Sequence, residues 1–212
     1  MSDYTFPTNN CILRFEIPNQ LGSPVYMYYR LTKFYQNHRR YVKSLNQDQL
    51  VGQFVTNSSI DSSDCDPLKL DDNGKAYYPC GLIANSLFND TLHSPALVTP
   101  TNAGVEPGNA SFSMTNQGIA WGSDRNLYKK APYTPDQVVP PPDWMNRYPY
   151  GYTDQFPIPD ISTWEEFQVW MRTAGLPTFS KMALRSDNEA MPAGIYEMSI
   201  YDCKSLRKIQ NP

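Results

Sequence analysis

Residues 11–17 read CILRFEI, residues 25–31 read VYMYYRL and residues 195–201 read IYEMSIY, and these three runs decide the fold class. In the first, Cys11, Leu13, Phe15 and Ile17 alternate with Arg14 and Glu16. In the second, Val25, Met27, Tyr29 and Leu31 share one face. The third follows Pro192 and Gly194. Alternation of this kind, in runs rich in β-branched and aromatic residues, marks half-buried strands. Pro18, Gly22 and Pro24 break the chain between the first two runs, and the stretch 52–130 is turn-rich with short apolar segments. The expected fold is mainly β: an antiparallel β-sandwich-like domain over residues 1–212, with long ordered loops and a few short helices.

One helix is marked around 164–171. Ser162 or Thr163 can cap it, with Glu165 or Glu166 completing a capping box. Trp164, Phe167 and Met171 then share a stripe, and Gly175 and Pro177 end the segment. Trp170 lies off that stripe, so both sides of the helix should be covered. Residues 132–159 carry eight prolines interleaved with Tyr133, Trp144, Tyr148, Tyr150, Tyr152 and Phe156. A free polyproline ligand is usually polar. So aromatic a segment reads as a long ordered connection packed on the domain.

Composition narrows the class. The 212 residues include 18 Lys+Arg against 21 Asp+Glu, a net charge of −3. With 15 Tyr, 9 Phe and 4 Trp, the chain is too aromatic to be disordered. The weak negative charge argues against nucleic acid as a partner. No run approaches the ~18 apolar residues of a membrane span. Residues 1–10 have neither a basic nor an apolar region of the kind that opens a signal peptide.

Other signals point to an oxidising lumen. Cys11, Cys65, Cys80 and Cys203 contain no CxxC pair, so a zinc site is not expected, and an even count fits two disulfides in one of three pairings. Asn73-Gly74 is a strong turn signal that folds Cys65 back toward Cys80. That pair would close a loop of about 15 residues, worth roughly 3 kcal/mol in the chain-entropy picture. Cys11 with Cys203 follows only by elimination, against two free or otherwise paired thiols. Sequons stand at Asn57, Asn89 and Asn109. Lumenal signals without an address suggest an excised fragment.

Candidate chemistry is sparse. His38, Arg39 and Arg40, with Lys33 and Lys43, could bind phosphate, including a lipid headgroup. The alternative for the same residues is buried or interface ion pairing, with Arg stacked on Tyr35 and Tyr41. Asp61, Asp64, Asp66, Asp71 and Asp72 lack EF-hand spacing and read as a solvated loop. His93 reads as a surface residue. Glu165 and Glu166 read as first-turn helix charges. No nucleophile elbow, P-loop or dinucleotide fingerprint occurs. The residues alone describe a non-enzymatic β-rich domain without cofactor or metal. The rival reading is a secreted carbohydrate-binding module or glycan-active enzyme on a β-sandwich.

Several longer strings are specific: FYQNHRRYVKS at 34–44, PCGLIANSLFNDT at 79–91, GIAWGSDR at 118–125, PPPDW at 140–144, WEEFQVWMRTAGLPTF at 164–179 and PAGIY at 192–196. In this order, from about Cys11 to Tyr201, they resemble the ligand-effect modulator family, also called the cell-division-control protein fifty family, and the wording is closest to fungal members. The resemblance implies the ectodomain of a non-catalytic β-subunit of class-four P-type ATPases, the phospholipid flippases. Such a subunit spans the membrane twice and supports the pump's folding, exit from the endoplasmic reticulum and transport cycle by binding its lumenal side. ATP, magnesium and the phosphorylated aspartate belong to the pump. The implied location is the lumenal or extracellular side of the endoplasmic reticulum, Golgi, endosome or plasma membrane.

The resemblance also implies that Cys65 and Cys80 form the family's short-loop disulfide and that Asn89 is glycosylated. It places the usual partner of Cys11 upstream, in a segment absent here, and has no counterpart for Cys203. His38, Arg39, Arg40, Tyr41, Trp144 and Trp170 are the candidates for partner contact or scaffold, with phospholipid headgroup contact a further role for Arg39 and Arg40.

Overall fold

A computed structural model describes residues 10–100 and 110–201. In chain order the strands are β1 (Asn10–Ile17), β2 (Val25–Leu31), β3 (Ala76–Tyr77), β4 (Thr91–Leu92), β5 (Ala96–Pro100), β6 (Ala110–Ser111), β7 (Val138–Val139), β8 (Phe179–Ser186) and β9 (Gly194–Tyr201). The helices are α1 (Arg39–Lys43), α2 (Gln47–Leu50), α3 (Asn57–Asp61), α4 (Leu82–Asn85), α5 (Gly122–Arg125) and α6 (Glu165–Met171). The fold class is the expected one: mainly β, with antiparallel pairing in the principal sheet and short helices in the connections. The described residues divide into two compact units, one of residues 10–28, 88–100, 110–117 and 182–201, the other of residues 29–87 and 118–181.

The first unit is built on one sheet in the order β1-β9-β5-β6, with β4 also paired to β9. β1 and β9 run antiparallel in continuous register from Asn10 opposite Tyr201 to Ile17 opposite Gly194. The alternation dictates what is inside. Tyr196, Met198 and Ile200 of β9 are buried, while Ile195, Glu197 and Ser199 between them are half-exposed. Phe15 faces Tyr196 across the pair, and their rings stack at 5.8 Å. Val25, Leu97, Phe112, Met191 and Tyr196 form one cluster, with Phe15, Ile17 and Met114 against it. Burying one such side chain is worth about 1.5–3 kcal/mol. The exposed cross-strand pair Arg14–Glu197, at 3.9 Å, adds little by comparison.

β2 pairs with β8 as a two-stranded sheet. Val25 and Leu31 are buried and Tyr26, Tyr28 and Arg30 exposed, as the alternation dictates. β8 is not visible as an alternating run because Lys181 occupies one of its buried positions.

The second unit holds the short parallel pair β3–β7 and all six helices. Its fully buried side chains include Ile60, Tyr78, Ile83, Ile161, Phe167 and Trp170. A disulfide joins Cys65 to Cys80, with Cα atoms 5.6 Å apart. Between them Asp71 organises the expected turn: its Oδ1 accepts from the N–H of Asn73 at 3.0 Å and of Lys75 at 2.7 Å. Gly74 takes φ +77°, which glycine adopts without penalty. Leu70 then meets Ala76 in an antiparallel bridge. Within the proline-rich segment, Tyr133, Trp144, Tyr148 and Tyr152 are buried, so it packs as an ordered connection.

Two expectations about α6 are corrected. Its cap is Trp164, with no side-chain hydrogen bond. Ser162 instead donates to Asp160 Oδ1 and Thr163 to the Asp160 carbonyl, so neither hydroxyl is left for a capping box. The helix ends at Met171, before Gly175 and Pro177. Glu165, Phe167, Gln168, Trp170 and Met171 are all buried, so both sides of the helix are covered as expected.

Candidate partner-binding site

Four of the quoted strings meet at α4, four residues long, through Tyr41 and Ser44, the helix's own segment, Asp143 and Trp144, and Trp170. A helix this short leaves its end N–H and C=O groups without intrahelical partners. Side chains distant in sequence satisfy them. Ser44, fully buried, accepts from the Leu82 N–H at 2.9 Å through Oγ and donates the same hydroxyl to the Asp66 carbonyl. Gly81 sits at φ +98°, where an added Cβ would lie 2.1 Å from the Ser44 carbonyl oxygen. Trp170 donates its indole N–H to the Ile83 carbonyl at 2.8 Å, and Trp144 to the Ala84 carbonyl at 2.9 Å. Asn85 and Asp143 exchange two hydrogen bonds, 2.8 and 2.9 Å long. Ser86 donates to the Leu82 carbonyl and shares a 2.8 Å hydrogen bond with the Tyr41 hydroxyl.

This geometry sorts the six candidate residues. Trp170 and Trp144 are 1% and 5% exposed and fully engaged. Tyr41 is half-buried, its ring edge-on to Phe34, which also meets Trp170 and Phe179. Burial holds the Tyr41 hydroxyl above the usual phenol range, against the opposing effect of its hydrogen bonds. His38, Arg39 and Arg40 are exposed. His38 caps α1, its Nδ1 accepting from the Arg40 N–H at 3.3 Å. Arg39 and Arg40 are therefore not buried, and of the ion pairing weighed for them only the interface kind remains open.

A second cluster holds the 118–125 string. Glu165 is 5% exposed, and its two oxygens accept from the N–H of Gly118 at 3.0 Å and of Ala120 at 2.9 Å. Arg125 lies 3.5 Å from the same carboxylate. Glu165 stands in the first turn of α6, as expected, and is in addition a buried anchor for a distant loop. That loop presents Trp121, 67% exposed, with the Arg172 guanidinium 5.1 Å from its ring centre and paired to Asp124 at 3.0 Å. Lys181 donates Nζ to the carbonyls of Val169, Trp170 and Arg172 at the end of α6. Burial, with Arg172 nearby, brings this amine down to about 8.

Glu165, Ser44 and Trp121 lie inside the quoted strings, yet nothing in their local sequence signals these roles, because every partner is remote or a backbone atom. Asn57 and Asn89 are exposed, while Asn109 and Cys203 lie outside the described residues. His93 is exposed, its ring edge-on to Tyr201. Among the described residues no group of His, Cys, Asp or Glu could hold a metal ion, and no helix is long and apolar enough to cross a membrane.

Comparison with known proteins gives a concordant result. Residues 2–204 match the family described as LEM3 (ligand-effect modulator 3) family / CDC50 family. The chain is 45% identical over 202 residues to the phospholipid-transporting ATPase accessory subunit CDC50 of Chaetomium thermophilum, covering 94% of this chain and 49% of that protein. It is 43% identical over 196 residues to the accessory subunit CRF1 of Saccharomyces cerevisiae, covering 92% and 47%. To cell cycle control protein 50A of Bos taurus it is 35% identical over 206 residues, covering 90% and 53%. The chain thus spans about half the length of the curated relatives it matches.

Proposed function

We propose, from the premise that this chain belongs to the LEM3/CDC50 family, that it is the lumenal or extracellular ectodomain of a non-catalytic accessory subunit of a class-four P-type ATPase. The parent is a two-span membrane protein. It binds the pump's lumenal side and supports its folding, its exit from the endoplasmic reticulum and the inward movement of phospholipid.

The observation that carries this reading is the family match over residues 2–204, with relatives named as ATPase accessory subunits. The site geometry supports a binding role. Tyr41, Trp144 and Trp170 are spent on the scaffold, whereas His38, Arg39, Arg40 and Trp121 are presented to a partner. Exposed Trp and Arg are the residue types that dominate protein interfaces.

The reading is tested by removing the parent protein from cells. Its loss should retain a phospholipid-transporting ATPase in the endoplasmic reticulum and abolish uptake of the phospholipid that pump moves. Normal pump location and uptake in such cells would refute it.

A further inference from the structure

We infer that Asn57 carries an N-linked glycan whose first N-acetylglucosamine lies against the ring of Phe54. The second unit has a cleft of about 450 Å³ whose lining includes Phe54, Asn57, Lys75, Tyr133, Asp136 and Gln137. Phe54 is 56% exposed, although its ring is held 5.3 Å from that of Tyr133. Tyr133 is itself pinned: its hydroxyl accepts from the Val55 N–H at 3.0 Å and donates to the Val55 carbonyl. The result is a fixed, uncovered aromatic surface three residues from a sequon asparagine. Asn57 is held too, since its Oδ1 accepts from the Ala76 N–H at 3.3 Å while the residue stays exposed.

A pyranose ring offers one face of C–H bonds, which pack on an aromatic ring, and a rim of hydroxyl and acetamido groups. Phe54 supplies the apolar plate, and Lys75, Asp136 and Gln137 supply polar groups around it. An apolar surface with a few convergent polar groups is the general form of a small-molecule seat. Here the occupant is covalently delivered. The inference rests on the lumenal reading above.

The test uses full-length protein made in a eukaryotic secretory pathway. Occupancy of Asn57 and Asn89 is read by mass spectrometry of glycopeptides. Thermal unfolding is then compared for the wild type and Ser59→Ala, with and without Phe54→Ala. Ser59→Ala removes the sequon but keeps the Asn57–Ala76 hydrogen bond, which Asn57→Gln would disturb. We expect Asn57 to be occupied and the glycosylated protein to melt roughly 2–4 °C above Ser59→Ala. That gap should largely vanish in the Phe54→Ala background. An unoccupied Asn57 beside an occupied Asn89 overturns the inference and leaves the lumenal reading standing. An occupied Asn57 with the same gap in both backgrounds overturns the stacking. No occupied sequon overturns both.

Discussion

Trp170 donates its indole N–H to the carbonyl of Ile83, 87 residues earlier in the chain, at 2.8 Å in a fully buried setting. Replacing it with Phe keeps most of the apolar volume but leaves a buried carbonyl unpaired. Trp170→Phe should cost about 1–3 kcal/mol in chemical denaturation. Trp170→Ala, which also opens a cavity, should cost about 3–5 kcal/mol.

Glu165 should behave as a structural anchor. Glu165→Ala strands the N–H groups of Gly118 and Ala120. We expect a loss of roughly 2–4 kcal/mol. Near-ultraviolet circular dichroism should change as Trp121 loses its support. A loss within about 0.5 kcal/mol, the range of ordinary surface substitutions, would contradict the anchoring role.

The Cys65–Cys80 bridge closes a loop with a sequence separation of 15. Replacing both cysteines with Ala should lower stability by about 2–4 kcal/mol, with 3 the chain-entropy value for this loop. Equilibrium unfolding of the two forms measures it.

Alkaline pH should destabilise the fold. Burial raises the phenols of Tyr29, Tyr78 and Tyr152 well above the usual range, and pushes Tyr128 up to about 12. Tyr152 also donates its hydroxyl to the Tyr78 carbonyl at 2.6 Å. Unfolded tyrosines ionise near pH 10, so the folded state holds more protons above that pH. The stability these groups contribute is complete below pH 10 and is lost as pH rises toward 12 and beyond. Lys181 acts oppositely in a lower window: its depressed pKa makes stability rise between about pH 8 and the usual lysine value of 10.5. Melting temperature against pH, read beside tyrosinate absorbance, separates the two.

How much of this was legible in the sequence depends on where the partner of each residue lies. β1, β2 and β9 alternate by themselves, so Phe15, Val25 and Tyr196 could be placed from local pattern. The Asn73-Gly74 turn was equally local, since Asp71 bonds within four residues of itself. The cap of α6 was misread because Ser162 and Thr163 had a nearer partner in Asp160. The first-turn place of Glu165 was legible, but its anchoring role was not, because its donors lie 45 and 47 residues away. The strings at 34–44, 79–91, 140–144 and 164–179 were recognisable as strings, but only the fold shows that Tyr41, Ser44, Trp144 and Trp170 meet at α4.

Arg39 and Arg40 are exposed on α1, outside the network that holds α4. Arg39→Ala with Arg40→Ala should change folding stability by no more than about 0.5 kcal/mol. The same pair should weaken recovery of the pump at least several-fold. Intact recovery with altered lipid selectivity would instead assign these arginines to headgroup contact.

The most direct test of the account is co-purification of the full-length protein from the membranes of its own cells, followed by mass spectrometry. The account predicts a phospholipid-transporting P-type ATPase in near-equal amount with the wild type, and much less with the Arg39/Arg40 double variant. Repeated isolation of folded, glycosylated protein without any P-type ATPase would contradict it.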